Sequence, residues 1–449
     1  MRPVTAWLLA VHCAASAAEQ FRLNQTYDAG NFFKSFDFRT TGGNPNQNDD
    51  NWSWVKYQNL TNAQKKGLAK IQDGEVYLGI DHRGVLNKTS AEGRDSLRVV
   101  SKKAFKYGLV ITRFTHLPEL VCGGWPAYWT LGVGEWPKAG EIDIYEGWNL
   151  DIHNKPVFHV GPESEFGSCT IEQDDQYSGI ISSNCDNTFA DNRTQWLNQG
   201  CQSRETKNTI WASAKGGIQA LEWTKEYIKL FTWPHGEEPD NLDDDELDTW
   251  SWGQPSVQLR ATNCDINRIF QEQQLMFTLP VCGNPPGSDQ FWTQLDGGSN
   301  KTCDKVTREP TCIDFVSKNP QAFKNFYFQI KDIRYLTQKV IEPTNHTTIA
   351  TSTSTRSMNR TSTATSLTTT VSKNQTSWAT PSTATISKNQ TSLVAPSTGS
   401  LSKNQTRITT ATGSTVQDGQ TGIQEAVTAT TTASKASVSC KHRHGVRHI

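Results

Sequence analysis

Ala139-Gly140-Glu141-Ile142-Asp143-Ile144-Tyr145-Glu146-Gly147-Trp148 places three carboxylates among apolar residues. Side chains alternate between the two faces of a β-strand. Glu141 and Asp143 therefore share one face, and Ile142 and Ile144 the other. The isoleucines suit a sandwich core, and the acids face solvent or a cleft. Strict alternation puts Tyr145, not Glu146, beside the first two acids. One extra residue in a β-bulge re-aims Glu146 onto the acidic face, and bulges are common beside active sites. Like charges on one strand face destabilise a sheet unless paired or used. No basic residue lies in the segment, so the pattern reads as a chemical site rather than a solvated acidic face.

Outward from this strand the chain continues to read as β. Glu75–Ile80, Leu109–Thr112, Tyr227–Phe231 and Phe326–Ile330 are short apolar runs bounded by Gly, Pro, Asn and Asp, as strands are. No long stretch has helical period. Neither strand–helix alternation nor a GxGxxG motif is present, which disfavours a nucleotide-binding α/β fold. The expectation is all-β: a sandwich of two antiparallel sheets.

The 449 residues divide into three parts. Residues 1–18 have the positive start, apolar stretch and small-residue site of an export signal. Residues 19–338 hold 13 of the 15 Trp and eight of the ten Cys, and form the folded domain. Residues 339–449 are a polar tail in which SKNQT recurs at Ser372, Ser387 and Ser402. Such a stretch cannot bury enough apolar surface to offset its ordering entropy, so disorder is expected. Its Ser/Thr density suits glycosylation. The eight domain cysteines are an even set behind an export signal, which predicts disulfides without choosing among 105 pairings. Glycosylation acceptors at Asn24, Asn51, Asn59, Asn87, Asn192 and Asn300 agree with secretion.

Charge narrows the partners. Lys and Arg number 44 against 45 Asp and Glu. That balance argues against nucleic acid or an anionic membrane as partner. No metal or cofactor motif is present: no CxxC pair occurs. A monomer is the default expectation.

Crowded carboxyls suit one reaction class. Retaining cleavage of a glycosidic bond needs two carboxyl groups about 5 Å apart, one as nucleophile and one as acid/base. Crowding discourages simultaneous ionisation, so one acid stays protonated near neutral pH and can donate.

Glu141-Ile142-Asp143-Ile144-Tyr145-Glu146 resembles the ExDxxE signature of family 16 glycoside hydrolases, in the bulged form of laminarinase-like enzymes. Asn31-Phe32-Phe33, Gly93–Arg98, Cys122–Trp129, Trp136-Pro137 and Glu222-Trp223 extend the likeness across Gln20 to Gln338. It is closest to fungal secreted endo-β-1,3(4)-glucanases. The resemblance implies a β-jelly roll whose concave sheet forms an open cleft for a long β-glucan. It implies Glu141 as nucleophile, Glu146 as general acid/base and Asp143 as the assisting carboxylate. It also implies Trp129 and Trp136 as sugar-stacking positions and His159 beside the acid/base strand. Trp125 is a further binding candidate, with core packing as the alternative.

The likeness departs at one place. Similar enzymes carry Cys-Gly-Asp-Trp-Ala-Gly, where this chain has Cys282-Gly283-Asn284-Pro285-Pro286-Gly287. An aromatic wall is then missing or displaced, with Trp292 the candidate replacement. The acidic loop Asp240 to Asp248 is also unusual and reads as solvated. The expected function is an endo-acting β-glucanase, secreted to the extracellular space or the cell wall. A cell-wall transglycosylase and a non-catalytic lectin-like wall protein are the alternatives.

Overall fold

The computed structural model describes residues 20–40, 52–89, 92–191, 193–295 and 299–339. The export signal, the tail, Asn51 and Asn192 lie outside them.

Two antiparallel sheets face each other across a shared core. One has nine strands, and all four apolar runs singled out from the sequence belong to it: Glu75–Gly79, Gly108–His116, Tyr227–Trp233 and Tyr327–Gln338. The other has eight, ordered Gly179–Ile180, Cys201–Arg204, Val157–His159, Glu141–Glu146, Ala127–Gly132, Gln273–Thr278, Arg98–Phe105, Phe36–Phe38. This is the predicted β-sandwich, and the acid strand lies in the middle of the second sheet. Aromatic rings from both sheets interlock between them: Phe114 lies 5.6 Å from Tyr128, and Phe277 5.6 Å from Phe328. The Tyr128 hydroxyl reaches Thr112 Oγ1 at 2.6 Å, so the core's central phenol stays paired, as a buried hydroxyl must.

The acidic loop keeps Asp240, Asp243, Asp244, Asp245 and Glu246 exposed, as a solvated loop does, but its leucines do more. It straps the outer face of the nine-stranded sheet, where Phe21, Leu109, Ile111, Phe231, Trp233 and Leu336 form an apolar cluster. Leu242 and Leu247 of the strap complete that cluster. Arg334 anchors it, donating to the carbonyls of Leu242 at 2.6 Å and Asp244 at 3.0 Å. Arg113 pairs with Asp243 of the strap and Asp332 of the sheet. The many acids there accompany two sheet arginines and an apolar underside.

Four disulfides form: Cys122–Cys303, Cys169–Cys264, Cys185–Cys201 and Cys282–Cys312. Each contributes about 2–4 kcal/mol by restricting the unfolded chain. Two of them pin a helical segment that the sequence reading did not anticipate, made of Asp289–Thr293, Cys303–Thr307 and Cys312–Lys318. Asn24, Asn59, Asn87 and Asn300 are all exposed. No helix among the described residues is long and apolar enough to cross a membrane.

Candidate active site

Strand register builds the site. On one side the acid strand pairs with Ala127–Gly132, with Glu141 opposite Leu131, Asp143 opposite Trp129 and Glu146 opposite Ala127. Residues 127, 129 and 131 alternate and so share one face. Their partners share that face too, although Asp143 and Glu146 are three apart. The register shift between Asp143 and Tyr145 makes this possible. Ile144 and Tyr145 are consecutive, yet both enter the core between the sheets. The Tyr145 ring packs 4.5 Å from Trp211 and 5.8 Å from Phe328. The expected bulge is present and brings all three acids to one face.

Two side-chain amides fasten the bulge. The Asn154 carbonyl oxygen accepts from the Glu146 backbone N–H at 2.8 Å, and its amide donates to the Ile144 carbonyl at 2.9 Å. Gln219 reaches the same Ile144 carbonyl from the other sheet at 3.1 Å. Backbone groups that a bulge removes from the ladder must find partners elsewhere when buried. Asn154 is itself fully buried, and sequence reasoning missed it. The only signal was a mostly polar stretch, Asp151 to Lys155, a few residues after the acid strand.

Each outer acid carries an indole N–H. Trp125 donates to Glu146 Oε1 at 2.9 Å, and Trp136 to Glu141 Oε2 at 2.5 Å. Trp136 is 47% exposed, while Trp125 is only 8% exposed. Trp125 therefore belongs to the site floor rather than the inter-sheet core. Gly283 fits closely against it: a Cβ there would sit 2.7 Å from Trp125 Cζ3 and 2.6 Å from Ser53 Oγ. Trp129 lies on the same face with Val100, Ala127 and Met276. Its N–H goes to Thr278 Oγ1 at 3.1 Å, and the Arg98 guanidinium lies 5.5 Å from its ring centre.

On the other side the acid strand pairs with Val157–His159, with Glu141 opposite His159. His159 Nε2 lies 3.3 Å from Asp143 Oδ2. Its Nδ1 is 2.6 Å from Asn187 Oδ1, so the second ring nitrogen carries its proton toward Asn187 when the first faces the acid. Trp292, the candidate replacement for the missing aromatic wall, is not at the site. It is 1% exposed and packs in the helical segment, its N–H on the Glu309 carbonyl at 3.0 Å.

Electrostatics separates the acids. Burial pushes Glu146 up and Glu141's charge adds to it, while the Trp125 N–H and the charges of His159 and Lys155 oppose. Burial also pushes Asp143 well up, reinforced by Glu141 and Glu146 and opposed by His159. Burial alone would lower His159, but Asp143 and the charge of Glu141 outweigh it and raise it to about 10. The cluster thus retains protons that free groups would have released at neutral pH. Behind Glu146, Lys155 pairs with Asp151 and lies 4.0 Å above the Trp148 ring. Among the described residues, ligand-type atoms of Glu141, Asp143 and His159 lie within 4.8 Å of one another. A cation there would compete with the protonated imidazole for Asp143.

The arrangement offers two half-buried carboxyl groups, of which Glu146 is pushed toward keeping its proton, and a buried middle carboxyl beside an imidazole. Comparison with known proteins points the same way. The family model for the XgeA-like catalytic GH16 domain matches residues 44–335. A curated endo-1,3(4)-beta-glucanase from Arthroderma benhamiae is 29% identical over 74% of this chain and 68% of its own length. The chain spans 48% of a probable endo-1,3(4)-beta-glucanase from Neosartorya fischeri, about half its length. The structure of GH16 laminarinase 16A from Phanerochaete chrysosporium, with two β-glucans in its donor and acceptor sites, aligns with a TM-score of 0.61. That match has 25% identity and covers 71% of this chain and 100% of the laminarinase. An elongating GH family 16 beta-1,3-glucosyltransferase aligns with a TM-score of 0.60 and 32% identity over 71% of this chain and 100% of its own.

Proposed function

The chain belongs to the GH16 family, with an XgeA-like catalytic domain, and from that premise we propose that it is a secreted, retaining endo-hydrolase of β-1,3- or mixed-linkage β-1,3(4)-glucans. The observation that carries this reading is the bulged register, with Glu141, Asp143 and Glu146 opposite Leu131, Trp129 and Ala127. Glu141 attacks the anomeric carbon while Glu146 protonates the departing glycosidic oxygen. A water activated by Glu146 then releases the glycosyl-enzyme, with retention. Asp143, held by His159 Nε2 at 3.3 Å, orients Glu141. Glucose rings present apolar C–H faces, which pack on indoles while their hydroxyls stay at the rim. Trp136 and Trp129 serve that role, and Trp125 combines contact with the sugar and with Glu146. The disulfides and exposed glycosylation acceptors support an extracellular setting.

Glycosyl transfer is the second reading, favoured by the likeness to the elongating transferase. Both reactions share the glycosyl-enzyme and differ in whether water or a sugar hydroxyl accepts. Product sizing on laminarin and mixed-linkage β-glucan, with Glu141→Gln as control, tests both. Shorter oligosaccharides from wild type alone support hydrolysis. Products longer than the substrate establish transfer. Turnover by Glu141→Gln equal to wild type would remove Glu141 from the mechanism.

A further inference from the structure

A row of aromatic contacts leads away from Glu146 through rings that strand alternation does not supply. Trp125, on the Glu146 carboxyl, meets Trp148 edge-on at 6.4 Å. Trp148 meets Phe291 at 5.8 Å, and Phe291 meets Trp196 at 5.9 Å, again edge-on. Exposure changes along the row: Trp148 is 4% exposed and Trp196 44%. The row draws on four separate segments. Phe291 belongs to the helical segment, and Asn149 ties that segment to the acid-strand loop by donating to the Pro286 and Phe291 carbonyls at 3.0 and 3.2 Å. Trp196 belongs to the loop closed by Cys185–Cys201. That loop also reaches the site independently, through Asn187 at His159 Nδ1 and Asn198 N–H on the Asn187 carbonyl at 3.0 Å. Trp196 is thereby connected to the acids by two routes, one through Glu146 and one through His159.

We infer that Trp196, buttressed by Phe291, is an outlying platform for a sugar ring of a β-glucan chain whose scissile bond lies at Glu141 and Glu146. The occupant follows from continuity and size. The exposed part of one indole is on the order of 100 Å², enough for a sugar face and far below the roughly 800 Å² per partner of a stable protein interface. Phe291 packs against Trp196 at 70° between ring planes, and 44% of Trp196 remains exposed and open to a ligand. The platform gives grip on long chains without touching the reacting atoms, so it acts on polymer recognition and not on the bond-breaking step.

This inference rests on reading the site as a glucan cleft, and the test keeps the two apart. Wild type, Trp196→Phe and Trp196→Ala are assayed on laminarin and on a short laminari-oligosaccharide, after matching thermal melts show that the variants fold. Wild-type release of sugar from laminarin is the condition for the cleft itself; no release from any β-glucan overturns both statements. Given release, the ratio of polymer to oligosaccharide kcat/KM falls about tenfold in Trp196→Ala, through KM, and Trp196→Phe recovers most of it. An unchanged ratio, or equal losses on both substrates, overturns the platform and leaves the cleft standing.

Discussion

Asn154 holds the backbone N–H of Glu146 at 2.8 Å from its side-chain oxygen. The same amide holds the Ile144 carbonyl at 2.9 Å, so one side chain fixes both ends of the irregularity that turns Glu146 toward Glu141. Asn154→Leu leaves the Glu146 N–H without this partner, at a cost of about 1–3 kcal/mol, while the Ile144 carbonyl keeps the Gln219 amide. The expected outcome is a loss of stability and a fall in kcat of about 10–100-fold with little change in KM. Asn154→Ser, which can keep the contact to the Glu146 N–H, recovers part of the rate. Steady-state kinetics with a urea melt checks this; a stability loss with kcat intact would mean that Asn154 only staples the fold.

Trp125 donates to Glu146 Oε1, and that bond favours the charged carboxylate, opposing the upward push of burial. Trp125→Phe keeps an aromatic ring against Gly283 and deletes the donor. Glu146 then rises further, and as a general acid it stays protonated to higher pH. The alkaline limb of kcat/KM moves to higher pH. The charges of Glu141, His159 and Lys155 around Glu146 are untouched by this change. A limb that stays in place or moves down would contradict the assignment of Glu146 as acid.

Strand alternation made the two isoleucines and the first two acids legible, because period-two patterning is a local property. The bulge was legible only as a need: Glu146 had to join Glu141 and Asp143, and Tyr145 had to leave their face. What secures it was not, since Asn154, Gln219 and Asn187 act through hydrogen bonds across the chain, and a buried amide looks like any loop amide in sequence. Trp292 shows the same limit. Its composition suited a cleft wall, and long-range closure by Cys122–Cys303 and Cys282–Cys312 buries it in a helical segment instead. The acidic strap shows its charge in the sequence, while the packing of Leu242 and Leu247 on Phe21, Phe231 and Trp233 depends on distant segments.

Arg334 donates to the carbonyls of Leu242 and Asp244 and pairs with Asp245. Its side chain is 6% exposed, and removing it leaves the buried Leu242 carbonyl unsatisfied. Arg334→Ala therefore costs about 2–3 kcal/mol and loosens the cover over Phe231 and Trp233. The strap lies on the nine-stranded sheet, away from the acids, so kcat on laminarin stays at the wild-type value. Chemical denaturation and dye binding to exposed apolar surface measure the first effect. A native-like midpoint would show that the strap is held by its leucines alone.

Glu205 is fully buried where Thr232 Oγ1 donates to it at 2.7 Å and Ser256 Oγ at 2.5 Å. Burial outweighs those bonds and pushes its carboxyl up to about 7. An acid raised in the folded state favours folding most below its unfolded value, near 4.5, where both states are protonated. Between there and pH 7 the unfolded chain releases the proton and the folded one keeps it, so stability falls as pH rises. At about 1.4 kcal/mol per unit, the loss from this group is on the order of 3 kcal/mol by pH 7. Glu205→Gln retains an acceptor for the two hydroxyls and has no proton to release. The variant melts close to wild type at pH 4 and several degrees higher at pH 7. Calorimetry across that range reads the difference; parallel melting curves would mean that Glu205 is already ionised in the folded state.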